Sequence, residues 1–280
     1  MTKLKRIKLA ALDLDGTLLN DSKTLCDGAA ETLYQAAAHG IHIVPVTGRP
    51  LDGIPACIRE LPFIDYYICS NGAQVIDAKT GKALYSFAID NAKSKAVLQV
   101  LRDLGCTFEP FANGVGYTEP SVYEDYMARF AGTPLEEYIT SSRKIVDSVD
   151  AVFADGKTEA DEFFVQCADE ALRAALVEAV EALGGLQYCL LGDRFMEITK
   201  KGTDKGETLR VLCRHLNVDI RRTVAFGDGD NDLTLLEAAG IGIAMGNAFP
   251  GVKEKAALVA KTNNENGVCD ILKGLWNDED

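Results

Sequence analysis

The sequence has little positive charge and no long hydrophobic run. Its 29 lysines and arginines face 42 aspartates and glutamates, which gives a net charge of −13. No apolar stretch approaches the ~18 residues that a membrane-spanning helix needs. A surface this acidic repels phosphate backbones, so we expect neither a nucleic acid nor a membrane as partner. A local basic pocket for a small anion stays compatible with this charge.

The sequence also lacks closely spaced cysteines and histidines in a catalytic pattern. No two of the eight cysteines lie closer than 12 residues, and no CxxC occurs. A zinc site or a redox pair is therefore not expected. Cys69 and Cys189 lie in apolar surroundings, and we interpret the cysteines as free thiols of a cytoplasmic protein. His39, His42 and His215 follow no catalytic pattern, and we assign them no role.

The length and composition predict a folded protein of roughly two domains. The chain has 280 residues, of which 47% are hydrophobic and 25% are charged. These fractions are ordinary for globular proteins and exclude a disordered or collagen-like chain. Apolar runs alternate with helical patterns near both chain ends, at residues 7–14, 41–46, 66–69, 223–226 and 241–245. This alternation predicts an α/β fold with a Rossmann-like parallel sheet as its core.

The middle of the chain follows a different pattern. A hairpin around residues 75–85 is followed by a helix at 92–104, and then by a strand at 162–167 and a helix at 168–183. Two short strands, 188–191 and 195–198, come last. We predict that residues 85–191 form an inserted α+β domain, and that residues 1–84 and 192–280 together form the core domain.

Three of the predicted core strands end in polar residues. In chain order these residues are Asp13 and Asp15, then Thr47 and Gly48, then Asp228, Asp230, Asn231 and Asp232. The carboxyl ends of parallel strands meet at one edge, where ligands bind in such sheets. Acids crowded there need a cation, and Mg²⁺ suits oxygen ligands near a phosphate. Aspartates also form ordinary turns, but two clusters directly after buried strands favour a metal site.

A phosphate-binding role is open to several residues near these strand ends. Thr47 offers a hydroxyl, and Gly48 allows the backbone to approach an anion. Lys205 precedes a glycine at a predicted helix start, where an ammonium can hold a phosphate. A plain turn or a solvated basic loop would explain the same residues, and spacing does not choose among Lys200, Lys201 and Lys205.

These segments resemble the motifs of the haloacid dehalogenase superfamily. Residues 13–17 (DLDGT) match its DxDGT motif, residues 47–49 its second motif, Lys205 its third and residues 227–232 (GDGDND) its fourth. Further segments are similar to the Cof-type branch, namely residues 70–73 (SNGA), 245–248 (MGNA) and 266–268 (NGV). That branch carries a large cap domain between the second and third motifs, where residues 85–191 lie.

The resemblance implies a Mg²⁺-dependent phosphatase of a small phosphorylated metabolite, such as a sugar phosphate or phosphorylated cofactor. It implies that Asp13 attacks phosphorus and that Asp15 protonates the leaving alcohol and then activates water. For this, we expect crowding by like charges to raise the pKa of Asp15. The implied ligand sets are Asp13, the backbone carbonyl of Asp15, Asp228 and the supporting Asp232 for the metal, and Thr47, Gly48, Lys205 and Asn231 for phosphate.

Other functions on related folds compete with this one. A phosphomutase or phosphotransferase would use the same motifs but return the phosphoryl group to a sugar. A signalling receiver is shorter and lacks an acid two residues beyond the nucleophile. A non-catalytic binding protein on this fold normally lacks the nucleophile. We expect cap loops to choose the leaving group, with Gly114, Tyr117 and Glu119 as candidate contacts.

Overall fold

The computed structural model describes residues 7–275. The strands, in chain order, are β1 Leu9–Leu12, β2 His42–Pro45, β3 Tyr66–Cys69, β4 Gln74–Asp77, β5 Lys82–Ser86, β6 Thr107–Ala112, β7 Val115–Thr118, β8 Arg143–Ile145, β9 Glu162–Gln166, β10 Leu186–Leu191, β11 Phe195–Lys200, β12 Thr223–Gly227, β13 Ile241–Ala244 and β14 Leu258–Val259. The helices are α1 Ala29–Ala38, α2 Ala56–Arg59, α3 Asn91–Asp103, α4 Pro120–Phe130, α5 Glu136–Ser142, α6 Val149–Val152, α7 Glu170–Leu183, α8 Lys205–His215, α9 Leu233–Ala238, α10 Pro250–Lys255 and α11 Gly267–Lys273.

The core is a five-stranded parallel sheet in the order β14-β13-β12-β1-β2. Strand β1, which pairs with β12 and β2, is buried along its whole length, as the unbroken run of apolar residues predicts. Helix α1 contacts α11, and α8 contacts α9. Strands from both sides of the insert thus form one sheet, and the predicted α/β fold with a parallel core is confirmed. No helix within residues 7–275 is long and apolar enough to cross a membrane.

A short antiparallel sheet, β3-β4-β5, follows the first part of the core. Its β4–β5 pair is the hairpin that the sequence predicted around a glycine-containing turn. Strand β3 is joined to the core by a parallel bridge between Val46 and Ile68. Residues 66–69 therefore reach the same edge as the core strands, although they pair antiparallel with β4.

The inserted segment forms a second, six-stranded sheet in the order β10-β11-β9-β6-β7-β8. Alternate residues of a strand face opposite sides, so Phe163 and Val165 enter a second hydrophobic core, with α3 and α7, while Phe164 lies on the other face. Strand β11 pairs antiparallel with β9 and β10, so the sheet continues to Lys200. This is beyond residue 191, where the sequence placed the end of the insert.

Candidate active site

Three strand ends meet at one edge of the parallel sheet. Strands β12, β1 and β2 are neighbours and run in the same direction. The segments that follow Leu12, Pro45 and Gly227 therefore leave the sheet side by side. The structure brings Asp13, Asp15, Thr47, Gly48, Asp228, Asn231 and Asp232 to the lining of one cavity of about 350 Å³.

A buried lysine holds two of the acids together. Lys205 is the first residue of α8, and its side chain is only 1% exposed. Its Nζ donates to Asp13 Oδ1 at 2.8 Å and to Asp232 Oδ1 at 2.7 Å. Lys200 and Lys201 are both exposed, so Lys205 is the lysine of this basic segment that points inward.

Three carboxylates converge tightly at this edge. One oxygen each of Asp13, Asp228 and Asp232 lies within 4.8 Å of the others. Burial raises the pKa of Asp13 well above its ordinary value, and Asp232 adds to this. Burial and Asp232 likewise raise the pKa of Asp228 to about 6. A set of crowded, hard oxygen donors fits a divalent cation such as Mg²⁺, which would relieve their repulsion.

Backbone and hydroxyl groups orient the same acids. The backbone N–H groups of Asp228 and Gly229 donate to Asp232 Oδ2 at 2.9 and 3.0 Å. Thr17 Oγ1 donates to Asp228 Oδ1 at 3.0 Å. Gly16, at φ +77°, leaves no room for a side chain, because a Cβ would lie 2.4 Å from Asp228 Oδ2. The glycine of the DxDGT segment is therefore required by this close approach.

Asp15 lies in a different electrostatic environment from the three clustered acids. Arg49 donates to it from Nε at 2.6 Å and Nη2 at 2.8 Å, and Lys23 Nζ lies 2.7 Å away. Burial disfavours the charged form, but Arg49 and then Lys23 outweigh it and lower the pKa of Asp15 to about 2. This is opposite to the rise expected from the acidic cluster, because the sequence argument did not include these two cations.

The predicted phosphate-binding residues also meet at this edge. Thr47 is 1% exposed, and its Oγ1 accepts from Arg49 N at 3.1 Å. A Cβ on Gly48 would lie 3.2 Å from the Asn71 amide. Asn231 Nδ2 donates to Asn71 Oδ1 at 3.0 Å. Sequence reasoning named Asn71 only within the segment 70–73 and gave it no role, yet it lies two residues after the apolar run of β3. A polar residue just beyond a buried strand is the signal that marked the other strand ends.

The second sheet forms the roof of the cavity. Glu162, Phe164 and Glu197 lie on its inner face and line the same space as the core acids. Asn71 Nδ2 donates to Glu162 Oε2 at 2.7 Å, which joins the core to the insert. Burial, with Glu197 nearby, raises the pKa of Glu162. No sequence pattern distinguished these acids from other strand residues, because only tertiary packing places them over the core.

The three residues that we expected to contact the leaving group lie outside the catalytic cavity. Gly114 N donates to Asp161 Oδ2 at 3.2 Å, and Tyr117 packs against the second hydrophobic core. Glu119 pairs with Arg102 and accepts from Val149 N at 3.0 Å. Gly114, Tyr117 and Glu119 do not line the catalytic cavity, so the expectation for them was wrong. Gly114 instead meets the core at Asp52, whose backbone N–H donates to its carbonyl oxygen, while Tyr117 and Glu119 contact other parts of the insert.

The parallel sheet, its acidic edge and the inserted roof define a hydrolase of phosphoric monoesters that has an α/β core and a cap. A family model described as haloacid dehalogenase-like hydrolase matches residues 10–272, and the chain belongs to this family, in its Cof-type branch. The sequence-based assignment to the superfamily is thereby confirmed.

Similar proteins cover nearly the whole chain. Phosphatase YwpJ of Bacillus subtilis is 30% identical over 96% of this chain and 100% of its own length. Pyridoxal phosphate phosphatase YbhA of Escherichia coli is 28% identical over 95% of this chain and 97% of its own. The solved structure of a haloacid dehalogenase-like hydrolase from B. subtilis aligns with a TM-score of 0.85 at 28% identity, over 95% of this chain and 99% of that one.

Proposed function

We propose that this enzyme is a magnesium-dependent phosphatase that hydrolyses a small phosphorylated metabolite through an aspartyl-phosphate on Asp13. The observation that carries the proposal is the buried ammonium of Lys205 between Asp13 and Asp232, at the edge where the strands end. The cavity of about 350 Å³ suits a small ester such as a sugar phosphate or a phosphorylated cofactor. YbhA, a relative named for pyridoxal phosphate, supports that class.

The proposed chemistry has two balanced steps. A carboxylate oxygen of Asp13 attacks phosphorus, the bond from phosphorus to the leaving oxygen breaks, and Asp15 gives that oxygen a proton. Asp15 then takes a proton from water, whose oxygen attacks phosphorus and releases the Asp13 carboxylate. Splitting the reaction in this way replaces one difficult displacement by two easier ones.

The phosphate group would be held by Thr47, Gly48, Lys205 and Asn231. An ammonium has three N–H donors, and Lys205 uses two on the acids, so one is available for a phosphate oxygen. The Asn231 amide has two N–H donors and uses one on Asn71. Donors already oriented by the fold stabilise the charge of the transferring group at little reorganisation cost.

The metal would be held by Asp13, the backbone carbonyl of Asp15 and Asp228, with Asp232 in support. The three carboxylates that meet within 4.8 Å provide the oxygen donors such an ion prefers. When bound, Mg²⁺ neutralises charge on the phosphate and on its attacking oxygen. Asp232 fixes the loop that carries Asp228 by accepting its backbone N–H.

Asp15 can act as an acid only if its ion pairs loosen. Arg49 and Lys23 hold it in the ionised form, and both line the cavity that would receive substrate. A phosphate dianion in that cavity competes for the same two cations. We propose that substrate binding weakens their contact with Asp15, so that Asp15 takes up the proton it later donates.

The test is release of inorganic phosphate from a broad panel of phosphate esters. We expect turnover with Mg²⁺, none after chelation and little with Ca²⁺, whose larger and looser shell misplaces the reacting groups. A phosphomutase would require a bisphosphate and would release no net phosphate. Full activity in protein shown by elemental analysis to be metal-free would refute the metal-dependent mechanism.

We also propose a cytoplasmic location and small molecules as the only substrates. All eight cysteines are free, as is usual in a reducing compartment. The net charge of −13 disfavours binding to nucleic acid or to an anionic membrane surface. Fractionation of cells that express the protein at its native level tests the location.

A further inference from the structure

A second cavity of about 230 Å³ adjoins the catalytic one. It lies between helices α4 and α5 and the inner face of the second sheet. Tyr138, Phe164 and Arg143 line both cavities, so the two spaces are neighbours across shared walls. We call it the side cavity; its walls include Tyr126, Phe130, Tyr138, Phe164, Gln166 and Phe195.

Aromatic side chains dominate the walls of the side cavity. Phe164 and Phe195 stand on neighbouring strands and stack with ring centroids 5.2 Å apart and planes 20° from parallel. Tyr126 and Phe130 meet edge to face at 6.3 Å. Walls of this kind favour a flat ring, because stacked and edge-on contacts add to the hydrophobic gain of burial.

Two polar atoms of the same walls are buried without a partner. Tyr126 Oη and Gln166 Oε1 have no hydrogen bond within the described part of the chain. Tyr126 is only 5% exposed. Burial, with Glu109 nearby, raises the pKa of Tyr126, so its hydroxyl stays a donor at physiological pH. A buried polar group without a partner is costly, so this pair suits a ligand with one acceptor and one donor on its edge.

Strand β9 connects the two cavities. Its residues Glu162, Phe164 and Gln166 share one face, and the last lies about 13 Å along the strand from the first. Glu162 lines the catalytic cavity and Gln166 lines the side cavity. Between them Glu197 faces the catalytic cavity with a buried Oε2 that has no partner among residues 7–275. That oxygen can accept a hydrogen bond from a hydroxyl group of a bound ester that extends from one cavity to the other.

We propose that the side cavity binds a flat, nitrogen-containing aromatic ring of the leaving group. The preferred substrates would then be phosphate esters in which a short hydroxylated chain separates this ring from phosphorus. The hydroxyls lie along Glu162 and Glu197, and the ring lies among Phe164, Phe195 and Gln166. This inference rests on the proposed phosphatase activity and adds the class of leaving group.

Two matched substrate pairs test the inference, since within each pair a hydroxyl group of one ester replaces the ring of the other. They are uridine 5′-monophosphate with ribose 5-phosphate, and flavin mononucleotide with ribitol 5-phosphate. We expect kcat/KM to favour the ring-bearing member of at least one pair about tenfold, in line with stacking of one ring on aromatic side chains. Gln166→Leu and Phe195→Leu should reduce that preference about fivefold.

Two further variants separate recognition from folding. Tyr126→Phe removes only the buried hydroxyl and should also reduce the preference for the ring. Phe249→Leu alters a phenylalanine that is 56% exposed and lines neither cavity, and it should leave the preference unchanged. Melting temperatures identify any variant that is misfolded.

These experiments distinguish a failure of this inference from a failure of the proposed function. Turnover of the ring-free esters with no preference for a ring in either pair would overturn this inference and leave the phosphatase in place. Equal losses on both members of a pair in the side-cavity variants would also overturn it. If no ester of the panel releases phosphate, the phosphatase proposal fails, and this inference fails with it.

Discussion

At the scale of single residues, Lys205 shows how burial and charge are balanced in the site. Burial alone lowers the pKa of a lysine, but Asp13 and Asp232 raise it beyond its ordinary value. The ammonium therefore stays charged although it is 1% exposed. Buried charges of this kind depend on their partners, and loss of all of them would leave an uncompensated ion.

Asp13→Asn should lower turnover at least about 10³-fold, because an amide does not attack phosphorus. Asp232 remains beside Lys205, so the variant should fold and melt cooperatively. Phosphate release and a thermal melt measure both properties. Asp103→Asn, at an exposed position of α3, is the matched control and should behave like the wild type. Turnover of Asp13→Asn within tenfold of the wild type would contradict its role as nucleophile.

Asp15→Asn should spare metal binding, since only the backbone carbonyl of Asp15 is a proposed ligand. Its turnover should fall most with sugar phosphates, whose alcohols are poor leaving groups. The loss should be smaller with para-nitrophenyl phosphate, whose oxyanion leaves with little protonation. Comparing kcat for the two substrates checks this. Equal losses on both would argue that Asp15 mainly holds Arg49 and Lys23 in place.

At the scale of elements, helix α8 depends on close contact with α9. Gly206 follows Lys205 at the start of α8, and a Cβ there would lie 2.1 Å from the carbonyl oxygen of Thr234. That oxygen belongs to the backbone of α9 and cannot rotate away. The glycine lets the helix that carries Lys205 approach its neighbour.

Gly206→Ala should therefore destabilise the fold by about 2 kcal/mol, which is typical of overpacking against backbone. It should also lower turnover, because α8 has to shift and takes Lys205 with it. Gly251→Ala is the control, since this helical glycine in α10 has nothing within 4 Å of a new Cβ. That change should be neutral or stabilise by up to about 1 kcal/mol. Urea unfolding of both variants measures the difference, and equal stabilities would refute the packing argument.

At the scale of the whole molecule, buried acids join the core to the insert. Burial, with Glu197 nearby, raises the pKa of Glu162 above its ordinary 4.5. A carboxyl group whose pKa is higher in the folded than in the unfolded chain contributes fully to stability at pH values below its unfolded pKa. That contribution is lost as the pH rises through the folded pKa. The junction should therefore weaken from about pH 4.5 upward.

Glu162→Gln removes this titration and keeps an oxygen that can accept from Asn71. We expect it to raise the melting temperature at pH 8 more than at pH 5. Glu178→Gln, at an exposed position of α7, is the matched control and should change neither value. A Glu162→Gln variant with the same shift at both pH values would show that Glu162 does not titrate in this range.

The sequence predicted much of this architecture, for reasons that are local. Buried strands appear as apolar runs, and the acids that follow Leu12 and Gly227 are adjacent to them in the chain. The C-terminal boundary of the insert was harder to predict from the sequence. Strands β10 and β11 are separated by a short turn, and the pairing of β11 with β9 joins residues about thirty positions apart. Nothing near residue 191 signals that pairing.

The sequence by itself determined the family, the parallel core with its insert, and the acids at the strand ends. Each of these follows from residues close together in the chain. Only the tertiary structure decided which lysine turns inward, that Arg49 and Lys23 hold Asp15, and that Glu162 and Glu197 form a roof over the site. The physical reason is that electrostatic and packing interactions depend on distance in space, which the folded chain alone establishes between remote residues.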